Sequence, residues 1–532
     1  MNQNKIFVAD EVSDSGLGPL RDAGFEVEKR TGLTPQELIK AIAGCAGLVV
    51  RSETKVTAQV MDEAPALRVI GRAGVGVDNI DVPAATARGI VVMNAPDGNT
   101  ITTAEHTIAL LIALARRVPQ ANSSLKSGRW DRKHFIGVEL QGKTLGIVGM
   151  GRIGRTVASR ARAFGMKIVA FDPFIAPEQA RDAEVELVTL DEVLASADFL
   201  TVHTPLTQET KGIIGADAFA KTKAGVRVIN CARGGLIDET ALYEAIKSGR
   251  VAGAALDVFC AEPPPMDHPL LSLDEVIVTP HLGASTTEAQ EGVAFTVAEQ
   301  MRDYLSTGAL RGAVNVAALG AQELTALRPY IELAEKLGRF QAQLADSAVR
   351  EVRLEFAGEL VDLNAAPVTR AFLAGLLRDV SARVNAVNAF LIAEERGISV
   401  VTSYHRAGAD FIPSIRTRIA GSDTEQSLAG TVFGFGEQAR EGRITEIDGF
   451  HVEAVPSGHM IVMRNQDVPG VIGRVGTILG ERGVNIGRFH LGRRERGGEA
   501  MAVVEVDAPL KKEALDELRG LPQVISAIQI KL

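Results

Sequence analysis

Gly149-Met150-Gly151-Arg152-Ile153-Gly154 lies between an apolar run at residues 145–148 and a helical pattern at residues 155–164. A strand, a glycine-rich turn and a helix in this order are typical of a dinucleotide-binding fold. The first glycine permits a tight turn, the second lets a pyrophosphate approach the backbone, and the third lets the helix pack closely on the strand. The free amides of the helix N-terminus attract phosphate charge. We therefore expect Gly149, Gly151 and Gly154 to bind a dinucleotide.

A carboxylate follows the next predicted strand. The apolar run at residues 167–171 ends on Asp172, about 20 residues beyond the glycines, where this fold binds the ribose of the cofactor. A carboxylate at this place accepts hydrogen bonds from the ribose hydroxyls and repels a 2′-phosphate. The pattern predicts NAD rather than NADP as the cofactor. A glycine-rich turn with a purely structural role is the alternative.

Length and composition restrict the class of protein. The 532 residues exceed what one hydrophobic core usually organises, so we expect about three or four domains. A hydrophobic content of 46% and a charged content of 23% are typical of a globular protein. The net charge of −9 and the single tryptophan argue against the basic, aromatic surface that binds nucleic acid. We predict no nucleic-acid partner.

The cysteines and the apolar runs argue against metal, disulfide and membrane classes. Cys45, Cys231 and Cys260 are odd in number and far apart, which fits neither a disulfide framework nor a CxxC metal site. The sequence therefore predicts no bound metal and a cytoplasmic location. The longest apolar run, residues 108–115, is too short to cross a bilayer, so we predict no membrane partner.

Two α/β sheets are predicted from alternating apolar and helical patterns. A turn cluster at residues 94–99 separates them, which gives a first domain at 1–98 and a second at 99–285. A long helical pattern after residue 285 can return the chain to the first domain, so we assign residues 286–317 to it. Strands are expected at residues 6–9, 47–50, 69–70, 90–93, 145–148, 167–171, 199–203, 226–231, 253–258 and 276–279.

The last two regions differ in character from the first two domains. Residues 318–455 are globular in composition and contain no recognisable catalytic motif. Residues 456–532 show the order strand, helix, strand, strand, helix, strand, which is that of a ferredoxin-like module. We predict one further domain in each of these two regions.

Three side chains are candidates for chemistry on an alcohol. Arg233 follows a predicted strand and stands beside two glycines, and its planar guanidinium suits a carboxylate. His281 ends another predicted strand, and Glu262 precedes a proline run. A carboxylate that hydrogen-bonds an imidazole fixes its tautomer and favours its charged form, which makes the imidazole a better proton acceptor. Each residue taken singly has a structural alternative, and their joint placement favours a catalytic set.

Several motifs together resemble one enzyme family. In order and spacing the chain is similar to the NAD-dependent D-2-hydroxyacid dehydrogenases, and its length and last module resemble their long form, which carries an intervening domain and a C-terminal ACT domain. The resemblance implies an α/β fold class: two doubly wound parallel-sheet domains (a split substrate-binding domain and a Rossmann NAD domain), an intervening α+β regulatory domain and a ferredoxin-like ACT domain. The motifs are GRAGVGVDN at 71–79, GMGRIG at 149–154, VHTPL at 202–206, NCARGG at 230–235, ALDVF at 255–259 and PHLGAS at 280–285.

The resemblance also implies roles for individual residues. Arg233 would hold the substrate carboxylate and the 2-oxygen, His281 would be the acid and base, and Glu262 its partner. Val75 stands where some relatives have threonine, so a side-chain hydrogen bond to the cofactor is in question there. The expected NAD contacts, besides the three glycines, are Val75, Arg152, Ile153, Asp172, Thr204, Cys231, Ala232 and Asp257.

The long form implies a phosphorylated substrate. The expected reaction is the oxidation of 3-phospho-D-glycerate to 3-phosphohydroxypyruvate with NAD, the first step of phosphorylated L-serine biosynthesis. Arg51, Arg72 and Arg132 would bind the phosphate, Arg132 by reaching across a dimer, and Asn94 would close the substrate end of the cleft. The alternatives are a related dehydrogenase that reduces 2-oxoglutarate or hydroxypyruvate, and an NAD-sensing binding protein without turnover.

An ACT domain implies a small-molecule effector, and L-serine is the expected one. The turn at Pro469 and Gly470 would leave helix amides free for a carboxylate, and Asp467 could pair with an α-ammonium group. Asn465 and Asn485 could bridge ligand groups across a paired module. In the alternative, Asp467 caps a helix and the asparagines hold turns. We expect a homodimer or homotetramer.

Overall fold

Four β-sheets with their helices make up the described part of the chain. The computed structural model describes residues 4–176, 178, 180, 184–381, 383–405, 414–422, 424–434 and 441–532. Short 3₁₀ helices lie at Ser15–Leu17, Arg132–Phe135, Pro269–Ser272, Gly358–Val361 and Arg378–Val380.

The first sheet has five parallel strands in the order β2-β1-β3-β4-β5. Its strands are β1 Lys5–Val8, β2 Glu26–Lys29, β3 Gly47–Val50, β4 Val69–Arg72 and β5 Val91–Asn94. Its helices are α1 Gly18–Asp22, α2 Pro35–Ile42, α3 Ala58–Asp62 and α4 Val82–Ala87. Because parallel strands end at one edge, this sheet brings Arg51, Arg72 and Asn94 to the same edge.

The second sheet has seven strands in the order β12-β11-β10-β9-β6-β7-β8. They are β6 Thr144–Val148, β7 Lys167–Phe171, β8 Glu186–Leu187, β9 Phe199–Val202, β10 Val226–Asn230, β11 Val251–Leu256 and β12 Val276–Val278. The helices are α5 Thr100–Arg116, α6 Val118–Lys126, α7 Arg152–Arg162, α8 Leu190–Ser196, α9 Ala216–Lys221 and α10 Glu239–Lys247. The strand order reverses on either side of β6, which opens a ligand crevice at the carboxyl end of that strand.

A long helix, α11 Thr287–Thr307, returns the chain to the first sheet. The Thr286 side chain accepts a hydrogen bond from the Ala289 amide and caps its start. A Cβ at Gly71 in β4 would overlap Val297 and Met301 of α11. Glycine at position 71 is therefore needed for the close approach of helix and sheet.

The third sheet is mixed, with the order β14-β13-β15-β16-β17-β18. Its strands are β13 Glu351–Ala357, β14 Ser399–His405, β15 Ser414–Ala420, β16 Glu425–Phe433, β17 Glu441–Ile447 and β18 Phe450–Ala454. Its helices are α12 Ala321–Leu344, α13 Ala366–Leu376 and α14 Ala389–Glu395. A Cβ at Gly338 or Gly375 would meet the backbone of the other helix, so these two glycines allow α12 and α13 to cross closely.

The fourth sheet is antiparallel, with the order β20-β21-β19-β22, and confirms the expected ferredoxin-like module. Its elements are β19 His459–Gln466, α15 Val471–Glu481, β20 Ile486–Arg493, β21 Glu499–Val506, α16 Lys512–Arg519 and β22 Val524–Lys531. The helix predicted to begin at Val471 does begin there.

The expected strands of the first two sheets are also confirmed, with ends displaced by one or two residues. Two short strands, β2 and β8, were not expected from the sequence. Both lie at sheet edges, and β2 carries the polar sequence EVEK, so neither shows an apolar run. Within the described residues we find no helix that is long and apolar enough to cross a membrane.

Candidate active site

His281 and Glu262 form a hydrogen-bonded pair at the mouth of the cleft. The Nδ1 atom of His281 lies 2.7 Å from Oε2 of Glu262, and each side chain is about two-fifths exposed. His281 has a φ of 55°, a left-handed conformation that is uncommon outside glycine and is often found at functional sites. An ionised carboxylate can only accept, so Nδ1 donates to it and Nε2 remains as the proton acceptor.

The Glu262 carboxyl is held in its ionised form. Burial acts to raise its pKa, but the hydrogen bonds from His281 and from the Phe259 amide outweigh burial, and the pKa is lowered. The carboxylate therefore stays charged, and a negative charge at this place would stabilise an imidazolium form of His281.

Asp257 is a buried anchor beneath this pair. Its carboxylate accepts hydrogen bonds from Thr279 Oγ1, His106 Nε2 and the amides of Leu282 and Gly283. Burial acts to raise its pKa, and the hydrogen bonds from His106, Thr279 and the Leu282 amide lower it further than burial raises it. Asp257 was expected to contact the cofactor; in the structure its carboxylate holds the loop that carries His281. His106 and Thr279 were missed, because only the fold brings them to Asp257.

Arg233 lies at the carboxyl end of β10, and its turn is fixed from both sides. The buried side chain of Asn230 donates to the Arg233 carbonyl at 2.8 Å and accepts from the Ala232 amide at 3.0 Å. A Cβ at Gly234 would overlap the Phe259 backbone, so glycine brings this turn against the loop that leads to Glu262. Arg233 and Glu262 are thus positioned by one packed pair of loops.

Arg233 also contacts the opposite side of the cleft. Its Nε donates to Asp78 Oδ2 at 3.0 Å, an ion pair between the second sheet's domain and the first. A Cβ at Gly76 would overlap the guanidinium of Arg233. Asp78 was not selected from the sequence, although it lies inside the GRAGVGVDN motif, because its partner is 155 residues away in the chain.

A cationic cluster forms where β3 and β4 end. Burial and the positive charges of Arg233 and Arg51 lower the pKa of Arg72 to about 10, which leaves it charged at neutral pH. Its Nε is buried and has no hydrogen-bond partner among the described residues. A Cβ at Gly74 would overlap its guanidinium. Arg51 and Arg233 therefore lie close enough to Arg72 for their charges to act on it. From the sequence, Arg51 and Arg72 were expected to bind a phosphate and Arg233 a carboxylate.

Two other expected substrate residues have different surroundings. Asn94, at the end of β5, donates to the Val75 carbonyl and so holds the loop beside Arg72. Arg132 lies in an exposed 3₁₀ helix between Trp130 and Ile136, whose exposed fractions are 80% and 81%. Within one chain Arg132 does not join the arginine cluster, so its assignment depends on a second copy.

The glycine-rich turn fits a dinucleotide. Gly149 has a φ of 99°, and a Cβ there would meet the His203 carbonyl and Thr204. A Cβ at Gly154 would overlap the Gly149 carbonyl, whereas one at Gly151 would meet only open space. The first and third glycines are needed for packing, and the second faces the volume that a pyrophosphate would enter.

Asp172 is oriented by this turn. Its Oδ2 accepts from the Met150 amide at 2.8 Å and its Oδ1 from the Phe174 amide at 2.9 Å. The carboxylate is thus fixed beside the glycine-rich turn at the end of β7. This is the place expected for a group that selects NAD.

The remaining cofactor candidates differ in what they expose. The hydroxyl of Thr204 is buried with no hydrogen-bond partner in the described structure. Arg152 is exposed and forms an ion pair with Asp97 at 2.7 Å, and Ile153 packs partly against the core. The Cys231 side chain is buried in the core, and burial raises its pKa to about 12, so it is a neutral thiol. Ala232 beside it is partly buried, and its amide donates to Asn230.

The expected effector residues all belong to the C-terminal module but do not lie together in one copy of it. Asn465 and Asp467 are at the end of β19, and Asn485 is at the opposite end of the sheet, before β20. Asn485 donates to Asp507 at 2.8 Å, and Asp467 pairs with Arg493 at 3.0 Å, which lowers the pKa of Asp467. The Oδ1 atom of Asn465 is buried without a partner among described residues. Gly470 is the N-cap of α15 and no side chain caps it, so the alternative in which Asp467 caps the helix is not what the structure has.

Three family models match the chain. The D-isomer specific 2-hydroxyacid dehydrogenase NAD binding domain matches residues 108–283, the D-3-phosphoglycerate dehydrogenase intervening domain matches residues 326–448, and the ACT domain matches residues 459–523. Together they cover most of the second sheet's domain, the third sheet and the fourth.

The chain is also similar to complete curated proteins. It is 45% identical to the D-3-phosphoglycerate dehydrogenase of Archaeoglobus fulgidus over 99% of this chain and 100% of that one. It is 45% identical to the enzyme of the same name from Bacillus subtilis over 99% of each chain. Among solved structures, the TT0316 protein of Thermus thermophilus is 38% identical to this chain and superposes with a TM-score of 0.54. The superposition covers 58% of this chain and 99% of TT0316.

Proposed function

The chain belongs to the D-3-phosphoglycerate dehydrogenase family, and we propose that Arg233, Glu262 and His281 carry its reaction. The enzyme oxidises 3-phospho-D-glycerate to 3-phosphohydroxypyruvate with NAD, the first step of phosphorylated L-serine biosynthesis. The observation that carries the assignment of residues is the 2.7 Å contact between His281 and Glu262, beside an arginine that faces the same cleft.

His281 is the base in this proposal. The Nε2 atom accepts the proton of the C2 hydroxyl, and Glu262 on Nδ1 stabilises the imidazolium that results. Bound NAD supplies the acceptor for the hydride that leaves C2. Asp257 acts through the loop it anchors, because its carboxylate oxygens are bonded to four protein donors.

Substrate orientation is assigned to the arginines. Arg233 binds the carboxylate and the 2-oxygen through its planar guanidinium. Arg72 and Arg51 bind the phosphate, supported by the buried and unpartnered Nε of Arg72. A guanidinium that has lost its water without gaining a partner is stabilised when an anion binds it.

Four further assignments extend this proposal. The domains are 1–98 with 286–317, 99–285, 318–455 and 456–532, supported by sheets that begin and end inside these limits. L-serine is the effector of the ACT domain, supported by the uncapped start of α15.

A homodimer or homotetramer is supported by the exposed Trp130 and Ile136, and Arg132 between them would reach the partner's cleft. A cytoplasmic location is supported by three unpaired cysteines.

A substrate panel tests the function and the arginine assignments together. NADH formation is measured with 3-phospho-D-glycerate, D-glycerate and 2-hydroxyglutarate at equal concentrations. We expect the phosphorylated substrate to have the highest kcat/KM. A preference for 2-hydroxyglutarate would contradict the assignment of the arginine cluster to a phosphate.

A further inference from the structure

A second cavity lies on the far side of the first sheet, where that sheet meets the third-sheet domain. Its volume is about 540 Å³, within the range of small-molecule sites. Apolar groups from both sides line it, among them Met61, Leu67, Val316 and Ile331. None of the residues that line it belongs to the catalytic cleft, so the cavity is a separate feature of the molecule.

Four arginines surround this apolar cavity: Arg68, Arg88, Arg370 and Arg383. Arg88 makes a bidentate ion pair with Asp62, and Arg383 lies 3.6 Å from the same carboxylate. Arg68 and Arg370 have no carboxylate partner among the described residues. The rim therefore carries an excess of positive charge that a ligand could neutralise.

Of the two arginines without a carboxylate partner, Arg370 points more specifically to an anionic ligand. Its Nε is buried and has no hydrogen-bond partner in the described part of the chain, and burial lowers the pKa of its guanidinium. One face of the guanidinium lies over the Phe390 ring at 5.9 Å. A buried guanidinium nitrogen without an acceptor is costly, and an anion in the cavity would supply that acceptor.

The two sides of the cavity are fixed to each other. Asn385 donates to the Gly89 carbonyl at 2.9 Å, and the fully buried Asn388 donates to the Ala87 carbonyl at 3.1 Å. A Cβ at Gly89 would overlap the Asn385 side chain. Packing of the third-sheet domain against the turn after α4 therefore defines the shape of the cavity.

The same strands connect the cavity to the catalytic cleft. Arg68 and Ile90 line the cavity directly before β4 and β5, and these strands end on Arg72 and Asn94 at the cleft. Each strand has four residues, so the two sites are separated by roughly 13 Å of sheet at about 3.3 Å per residue. A ligand that shifts the start of these strands would act on the phosphate-binding end.

We propose that this cavity binds an anion with an apolar body, a carboxylate on an alkyl chain or ring, and that its occupancy changes the affinity for substrate. The charged group contacts Arg370 and Arg68, and the apolar body fills the space beneath them. The inference concerns a site outside the catalytic cleft and does not depend on the assignment of catalytic residues.

Octanoate is the probe, and octan-1-ol of equal chain length is its neutral control. Calorimetry is done on the full chain with NAD at saturation, so that the nucleotide crevice is filled. We expect octanoate to bind at least about tenfold more tightly than octan-1-ol, as for a charge-assisted hydrogen bond. Equal binding of the two, or binding of neither, would overturn the proposal.

Two variants locate the binding. Arg370→Leu should weaken octanoate about tenfold and leave kcat without octanoate unchanged. Ala386 lies in an exposed loop that lines the cavity, so the side chain in Ala386→Trp should fill the cavity and abolish octanoate binding. This variant keeps all four arginines and therefore still tests the site if Arg370→Leu does not fold. Wild-type octanoate affinity in a folded sample of either variant would place the site elsewhere.

The coupling has its own readout. With octanoate at saturation we expect the KM for 3-phospho-D-glycerate to change by about fivefold or more. Without NAD, so that no turnover occurs, saturating 3-phospho-D-glycerate should change the Kd of octanoate by the same factor by which octanoate changes the Kd of 3-phospho-D-glycerate. Binding that leaves KM unchanged would overturn the coupling. Because octanoate binding is measured without turnover, failure of the catalytic assignment would not be mistaken for failure of this site.

Discussion

The catalytic cleft and the C-terminal module differ in how their polar side chains are paired. In the cleft, Glu262 leaves Nε2 of His281 as a proton acceptor, and the bonds of Arg233 to Asp78 and to the Ala232 carbonyl leave its Nη2 for a ligand. In the module, Asp467 and Asn485 are bonded to Arg493 and Asp507 of the same module. One chain therefore assembles all three residues of the proposed catalytic set, whereas an effector at the proposed site would have to compete with bonds already made.

Loss of the base gives the largest expected effect and tests the independence of the two regions. His281→Ala should lower kcat by about 10²-fold or more, as for loss of a general base. Serine affinity, measured by calorimetry, should stay unchanged because His281 lies outside the module. A folded variant with near-normal kcat would show that His281 is not the general base.

Removal of an arginine from the proposed phosphate site should reduce the preference for a phosphorylated substrate. Arg72→Ala or Arg51→Ala should reduce the preference for 3-phospho-D-glycerate over D-glycerate by roughly one to two decades, the value of a charge-assisted hydrogen bond. The control is Arg21→Ala, an exposed arginine paired with Asp14 on the same domain. An unchanged preference in both cleft variants would mean that the phosphate binds elsewhere.

The pH dependence of kcat/KM tests the charge of Glu262, because Glu262→Gln removes the charge and keeps nearly the same side-chain shape. The pKa of Glu262 is lowered, so the carboxylate stays ionised through the acidic range in which an imidazole gains its proton. In Glu262→Gln the imidazolium loses this charge and forms less readily, so the acidic limb of kcat/KM should move to lower pH by about one unit or more. We also expect kcat to fall, since the transition state develops the same positive charge. A limb at the wild-type pH would show that the Glu262 charge does not act on the imidazole.

Much of the fold could be predicted because local patterns carry it. The glycines at 149–154 and the run ending on Asp172 specify a turn and a strand end from adjacent residues alone. Part of the third sheet could not be predicted, because β13 pairs with β14 and β15 far along the chain. The strands β15 to β18 pair with their neighbours in sequence, and the Asp448-Gly449 turn between β17 and β18 is a hairpin signal that was missed. The ion pair of Arg416 with Glu446 on that sheet gives no local signal, because strand pairing brings the two side chains together.

The site shows the same limit. Arg233, Glu262 and His281 stand beside strand ends, so their types and places predict a joint role before the structure is known. Asp78 and His106 act through partners 155 and 151 residues away, and no spacing rule connects them. The pairing of Asp467 with Arg493 was missed for the same reason, since strand register decides which side chains meet.

The smallest expected effect concerns serine, and it tests the effector side of the comparison. A serine α-ammonium has to compete with Arg493 for the Asp467 carboxylate, so the net gain from that contact is modest. Asp467→Ala should weaken serine affinity by about fivefold, close to one hydrogen bond of about 1 kcal/mol, and leave kcat without serine unchanged. Calorimetry and inhibition curves measure the two quantities on the full chain.

Asp516→Ala is the matched control, because Asp516 is also an exposed acid of this module near an arginine, Arg519, at 3.5 Å. It should leave serine affinity at the wild-type value. Equal affinity in all three proteins would show that the carboxylate remains with Arg493 when serine is bound. If the wild-type chain binds no serine up to roughly millimolar concentration, where binding of about 4 kcal/mol is still detectable, serine is not the effector. The role of this region would then be assembly, and the unpartnered Oδ1 of Asn465 is a contact that a second copy of the module could supply.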